Sequence, residues 1–350
     1  MFLRNCWYVA AWDNEIGREP FARTILNEPV VLFRTEGGEA VALEDRCCHR
    51  HLPLSLGRVT SDGLQCGYHG LEFDRTGACV QVPGQTKVPP DARVKSYPVV
   101  EKWNWVWIWM GDPAYADPET IPDWHWVDDP DWRTVKGNGG KPLPVACDYQ
   151  LITDNLLDIA HLTYVHSSSI GSDAIVEFPI KTERFERLVK MTRMVPDRPA
   201  APFYQWAGKF EGNVDRWLVT TVEMPAYIVN DAGCVDVGTD TRPGHRGRGV
   251  EMRVLNLPTP ETETTTHYFY AHARHFGLDD DEVEEAYRTQ FTQVFLEDKV
   301  ILEAQQRAMT MSPDAPLVDV NTDAPSIATR GMLSELIAKE NKGSIASAAE

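Results

Sequence analysis

The chain has 350 residues, 43% apolar and 25% charged, which is long enough for two domains with cores of their own and ordinary in balance for a globular protein. Its 52 acidic residues against 34 basic ones leave a net charge of −18, which argues against nucleic acid and anionic membrane surfaces as partners. No apolar run approaches the ~20 residues of a membrane span, and the opening Met1–Asp13 stretch lacks the basic start of a secretory signal, so a cytoplasmic location is expected.

The first ~115 residues read as strand-rich. Pro29–Phe33 and Ala40–Leu43 are short apolar runs separated by Glu36-Gly37-Gly38, a turn signal. In Trp103–Trp109 a tryptophan recurs at every second position with Val106 and Ile108 between, so a strand buried on both faces is expected there. Gly111–Asp131 is rich in Pro and Asp and reads as a connection. A boundary is therefore placed at 115/116, with domains 1–115 and 116–350. A helical stretch follows over about 148–166, then mixed strands to about 275, then a helix over 280–308. Asp279–Glu282 supplies negative charge to the first turn of that helix.

Two constellations carry chemistry. The first is Arg46-Cys-Cys-His-Arg-His51 with Gln65-Cys-Gly-Tyr-His-Gly70. Each short loop offers a thiolate and an imidazole. Zinc fingers usually segregate cysteines from histidines, whereas this mixed arrangement suits a 2Fe–2S cluster with two Cys on one iron and two His on the other. Cys47-x-His49 and Cys48-x2-His51 both have ligand-like spacing, so the first loop alone leaves two choices.

The second constellation is Asp154-Asn-Leu-Leu-Asp158-Ile-Ala-His161-Leu-Thr-Tyr-Val-His166. Residues 161 and 166 diverge by about 140° on a regular helix, so convergence on one metal requires the helix to end or loosen near Tyr164. Two imidazoles and a carboxylate form the facial arrangement of non-haem iron. Asp298 is the candidate carboxylate, because Val294, Ile301 and Leu302 place it on an apolar stripe; Glu297 and Lys299 are expected to be solvated. Asp154 with Asp158 also admits a hydrolytic acid/base reading.

With these motifs in place, the chain resembles the terminal oxygenase components of the Rieske non-haem iron oxygenases, most of all the toluenesulfonate methyl-monooxygenase and vanillate O-demethylase group. Arg4–Asp13, Cys66–Asp74, Trp107–Pro113, Asp154–His166, Thr259–Thr264, Ala273–Phe276 and Glu297–Arg307 carry the resemblance, which spans roughly residues 1–340. It implies an α+β fold: an all-β Rieske domain, then a helix-grip-like antiparallel sheet with long helices. It also implies Cys47, His49, Cys66 and His69 as cluster ligands and His161, His166 and Asp298 as ligands of a mononuclear Fe(II). Asp158 would be the bridging acid, joining His69 to His161 across a subunit boundary in a homotrimer, and Asn155 lies near the iron. His51 stands where the family usually has a small residue.

The activity implied is O2-dependent hydroxylation of a methyl or methoxy group on a small aromatic acid. Electrons would come from NAD(P)H through a reductase carrying flavin and a ferredoxin-type cluster. A ring-dihydroxylating dioxygenase and a Rieske electron carrier are the other readings. Donors for the substrate's acid group are sought in the sheet region at Asn230, Arg253, Asn256, His267 and His272, and Phe203, Tyr204 and Trp206 are candidates for the pocket wall.

Overall fold

The computed structural model describes residues 1–247 and 249–347. Contacts divide the chain into two units: Met1–Asp123 with Thr259–Glu263, and Trp124–Pro258 with the chain from Thr264 onward.

The first unit is built of three small sheets. Trp7–Trp12 and Val99–Lys102 flank the buried strand Trp105–Trp109. Trp12 stacks on Trp105 at 4.9 Å between ring centroids, so the tryptophan stripe is core. The strand starts two residues later than the alternation suggests. Trp103 and Asn104 have φ 57° and 68° and form the two-residue hairpin loop, since a turn with both central φ positive matches strand twist. The expected strands around Glu36–Gly38 are Glu28–Arg34 and Ala40–Glu44. The third sheet (Arg58–Val59, Gly63–Gln65, Glu72–Asp74, Cys79–Gln81) carries the second Cys/His loop.

The second unit is one eight-stranded sheet under helices. Its strands are β1 (Arg133–Lys136), β2 (Leu143–Val145), β3 (Lys181–Arg184), β4 (Leu188–Arg198), β5 (Val214–Glu223), β6 (Tyr227–Asp236), β7 (Val250–Thr262) and β8 (Thr265–Arg274). The order is β1-β8-β7-β6-β5-β4-β3, with β2 also on β8. β6 and β7 pair antiparallel with Asn230 opposite Val254, and β5 and β6 with Thr220 opposite Asn230. Side chains alternate between faces, so Arg216, Leu218 and Thr220 share one face with Asn230 and Ala232.

Helix α1 (Tyr149–Leu157) begins at Asp148, whose carboxylate accepts from Gln150 N–H, a regular N-cap. It stops at Asp158, which has φ −92° and ψ 83°. A single turn, Ile159–His161, and a short α2 (Leu162–Val165) follow. The expected 148–166 helix is thus broken at Asp158, ahead of His161, and it ends at Val165, next to Tyr164, where convergence of His161 and His166 requires an end. After α3 (Pro202–Gly208) and the sheet come α4 (Asp281–Ala286), a π-helical segment Tyr287–Phe291, and α5 (Thr292–Met311). Asp280 caps α4 by accepting from Glu282 and Val283 N–H, so the acidic run acts as a helix start. A last helix, α6 (Ala324–Ser347), was not foreseen.

Candidate metal centres

The two Cys/His loops share one backbone frame. In the first, Cys47 N–H donates to Leu52 C=O at 2.9 Å and His51 N–H donates to Cys47 C=O at 2.9 Å. In the second, Cys66 N–H donates to Leu71 C=O at 2.8 Å and Gly70 N–H donates to Cys66 C=O at 3.1 Å. The residue four after each cysteine takes a left-handed conformation: Gly70 at φ 73° and His51 at φ 58°. His51 therefore occupies the frame's hinge, the place where glycine fits without strain, which accounts for the small residue usual there. The second loop is also tight: a Cβ on Gly67 would stand 2.5 Å from Leu56 O.

This frame brings His49 and His69 together, with ring centroids 4.6 Å apart and both rings exposed. Cys47 and Cys66 lie buried in a core with Val31, Leu43, Leu54, Leu64 and Phe73. Burial pushes the Cys47 thiol up to about 11, with Cys66 adding to the rise. Two adjoining buried cysteines, Cys47 costly to ionise, beside two imidazoles fit a group that binds thiolates and repays their burial. Cys48 is only half-buried, and its thiol is likewise raised by burial.

In the second unit, ligand atoms of His161, His166 and Asp298 all lie within 4.8 Å of one another. His161 Nε2 is 3.5 Å and His166 Nε2 3.0 Å from the same oxygen, Asp298 Oδ1. The far edge of each ring is occupied. His161 Nδ1 donates to the Asp158 carbonyl, and His166 Nδ1 donates to Glu297 Oε2 at 2.7 Å. Such contacts fix the tautomer and aim Nε2 inward. Asn155 Nδ2 donates to Asp298 Oδ1 at 3.3 Å. Burial alone would lower the His166 pKa, but Asp298 and Glu297 outweigh it and raise it. Three convergent groups on one face, with rings held from behind, fit a metal that keeps open positions.

Several expectations need correction here. Glu297 is only partly exposed and braces His166, and Ile301 is exposed rather than on the buried stripe. Within the chain, His161 meets the carbonyl of Asp158. The Asp158 carboxylate instead accepts from Ala160 N–H at 3.0 Å and caps the turn. Asp154 is ion-paired with Arg330 of α6, with Arg330 Nε at 2.8 Å, which leaves no acid/base pair with Asp158.

Above the metal-binding candidates a cavity opens against the sheet, walled by Ile159, Leu218, Met252, Val254, Phe291 and Phe295 among others. Of the proposed acid-group donors, Asn230 and His272 line it, whereas Arg253, Asn256 and His267 do not. Arg253 alternates with Met252 and Val254 and so points away; it is ion-paired with Asp231 at 2.7 Å and Glu251 at 2.8 Å. Asn256 donates to Asn230 Oδ1 and accepts from Tyr268. Asn230 in turn donates to Thr220, which donates to the Leu156 carbonyl of α1. These amides tether α1 to the sheet. His267 stands opposite Pro144 in the β2–β8 pairing. Tyr204 lines the cavity, Phe203 packs behind it on Phe291, and Trp206 is largely exposed. Arg216, which also lines the cavity, went unnoticed, although its inward register with Leu218 and Thr220 is readable in Val214–Val222.

A Cys2His2 loop pair on a small β unit, followed by a two-histidine, one-carboxylate centre against an antiparallel sheet, defines a Rieske-type oxygenase, and the chain belongs to that family. The Rieske [2Fe-2S] domain family matches residues 6–98, and the vanillate O-demethylase oxygenase C-terminal domain family matches residues 145–339. The second match removes the electron-carrier reading. The chain is 43% identical to the iron-sulfur subunit of the toluene-4-sulfonate monooxygenase system of Comamonas testosteroni, over 98% of this chain and 99% of that protein. It is 36% identical to the vanillate O-demethylase oxygenase subunit of a Pseudomonas species, over 98% and 97%. The crystal structure of dicamba monooxygenase bound to 3,6-dichlorosalicylic acid aligns with a TM-score of 0.89 at 34% identity, covering 97% of this chain and 99% of that one. The chain is thus an oxygenase component with a 2Fe–2S cluster and a non-haem iron, using O2 and NAD(P)H-derived electrons delivered by separate partner proteins. No helix among the described residues is long and apolar enough to cross a membrane.

Proposed function

We propose that the chain is the terminal oxygenase of a multicomponent monooxygenase that hydroxylates a methyl or methoxy carbon of a small aromatic acid. The observation that carries this reading is the apolar cavity set directly on His161, His166 and Asp298. Similarity to toluene-4-sulfonate monooxygenase and vanillate O-demethylase components supports the substrate class.

Cys47, His49, Cys66 and His69 would hold the cluster, and His161, His166 and Asp298 the iron. When bound, the cluster passes single electrons and the iron activates O2, together inserting one oxygen atom into a C–H bond. The protein's own part is positional. Glu297 and the Asp158 carbonyl keep both imidazoles in the tautomer that offers Nε2. Asn155 holds the Asp298 carboxylate. Ile159, Leu218, Val294 and Phe295 exclude water and leave an aryl methyl group as the part of the substrate that suits the wall. A hydroxylated methoxy group then breaks down to phenol and formaldehyde, while a hydroxylated aryl methyl group remains as the alcohol.

Electron delivery rests on exposed His49 and His69 and on Asp158, which is half-buried beside His161. The reading is that His69 of one copy meets Asp158 of a neighbour in a homotrimer, and that the donor is a reductase carrying flavin and a ferredoxin-type cluster. Purified chain with a surrogate reductase, NADH and O2 should convert toluene-4-sulfonate to its benzyl alcohol, or vanillate to protocatechuate and formaldehyde. Conversion of neither, with a cis-diol formed from another arene, overturns the proposal.

A further inference from the structure

Arg216 is 3% exposed and lines the cavity. Its guanidinium lies over the Tyr204 ring, 4.6 Å from the centroid, and Nη2 donates to the Ile170 carbonyl at 2.9 Å. Nε and Nη1 are buried and find no acceptor in good geometry. Among the described residues no carboxylate pairs with it. A buried cation without a counter-charge is strongly unfavourable and is normally paired.

The other polar groups of the wall are spoken for, except His272, whose two ring nitrogens have no partner. His161, His166, Asp298 and Asn155 form the metal centre. Thr220 and Asn230 tether α1. The Asp231 carboxylate is taken by Trp217, Arg246 and Arg253. His272 is held neutral, its pKa pushed down to about 3 by burial. Arg216 is left as the one Arg or Lys of the cavity wall among the described residues, with Nε and Nη1 unpartnered.

We infer that Arg216 is the receptor for the substrate's acid group, using its unpartnered guanidinium donors to hold a sulfonate or carboxylate and so selecting anionic arenes over neutral ones of the same shape. This rests on the aromatic-acid reading above. It places the specificity determinant on β5, backed by Tyr204, at a position the family motifs do not include. A guanidinium keeps its charge when buried and is more weakly hydrated than an ammonium, which suits Arg better than Lys to a desolvated anion site.

The test uses the holoenzyme and two probes, toluene-4-sulfonate and its neutral counterpart methyl 4-tolyl sulfone. Equilibrium binding to the wild-type protein, followed by calorimetry, should favour the sulfonate at least about tenfold. In Arg216→Gln the sulfonate preference should vanish and KM for the acid should rise roughly 100-fold with kcat changed little. Arg216→Lys should recover only part of the preference. Cluster absorbance and iron content, measured in parallel, identify a variant that has failed to assemble, and the wild-type comparison decides the matter if both variants do. Equal wild-type affinity for the two probes, or a preserved sulfonate preference in an intact Arg216→Gln protein, overturns the inference. Because binding is read without turnover, failure here with methyl hydroxylation intact refutes Arg216 alone. Absence of any methyl or methoxy oxidation, with the sulfonate preference intact, refutes the proposed reaction instead.

Discussion

Glu297 and His166 meet at 2.7 Å, Oε2 to Nδ1, while Asp298 faces Nε2 of the same ring at 3.0 Å. Two consecutive carboxylates of α5 thus hold opposite edges of one fully buried imidazole. The first orients the ring and the second shares its metal-facing side.

Glu297→Ala should therefore weaken iron binding by roughly 10- to 100-fold, as loss of a carboxylate behind a ligating histidine generally does. Glu297→Gln, which still accepts from Nδ1, should fall between. Iron per chain after dialysis against a mild chelator, with cluster absorbance as the internal standard, measures this. Full iron retention in the alanine variant would show that the contact is incidental.

Asp158→Asn should keep the turn, because an amide oxygen can still accept from Ala160 N–H, and the His161 contact runs through the main chain. Both metal centres should load normally while turnover falls by orders of magnitude. Stopped-flow oxidation of the reduced cluster should slow in parallel. Wild-type turnover in the loaded variant would remove Asp158 from the electron path.

Asn256→Leu tests whether the buried amides are structural. The change strands Asn230 Oδ1 and the Tyr268 hydroxyl, at a cost of about 1–3 kcal/mol. Denaturant unfolding should show that loss, and the preference for sulfonate over the neutral sulfone should stay unchanged. A selective loss of acid binding would return Asn256 to the list of substrate contacts.

His272 sets an acid limit on stability. Its folded pKa is pushed down to about 3 by complete burial, against ~6.5 in an unfolded chain. Between those values the unfolded state takes up a proton that the folded state does not, so stability rises with pH and is lost as pH falls from ~6.5. His272→Phe, among the rings of Tyr287, Phe291 and Phe295, should flatten the fall of Tm between pH 6.5 and 5. An unchanged slope would mean the ring is protonated in the fold.

His51 and Cys48 test the shared loop frame. His51→Gly relieves a left-handed non-glycine residue and should stabilise the first unit by about 1 kcal/mol with the cluster retained. Cys47→Ser should lose the cluster. Loss of the cluster in Cys48→Ser alone would reassign the ligands.

The sequence motifs pointed to both candidate centres because ligand chemistry restricts residue type and spacing at once. Cys47, His49, Cys66 and His69 converge as their loops suggest, and His161, His166 and Asp298 meet although 132 residues separate the last two. What stayed hidden depends on direction rather than identity. Arg253 reads like an anion receptor until strand alternation turns it away from the cavity and onto Asp231. Asn256 reads the same way until its hydrogen bonds are counted. Glu297 reads as solvated because a helical stripe ranks residues by apolarity, and a buried imidazole can recruit a carboxylate from the stripe's edge. The break at Asp158 carries no proline or glycine signal.

The π-helical segment Tyr287–Phe291 holds one residue more per turn than the helices on either side. It joins α4 to α5, and its last residue, Phe291, lies in the cavity wall, two turns before Asp298. Deleting a single residue there would return the segment to α-helical pitch with both flanks nearly in register, because the wider turn is what absorbs the extra residue, so α4 and Asp298 of α5 could both keep their places. Related chains can thus change the shape of the chamber's mouth by gaining or losing one residue without disturbing the ion's cradle. This gives redesign of the chain a single position at which length, rather than side-chain identity, is the adjustable quantity.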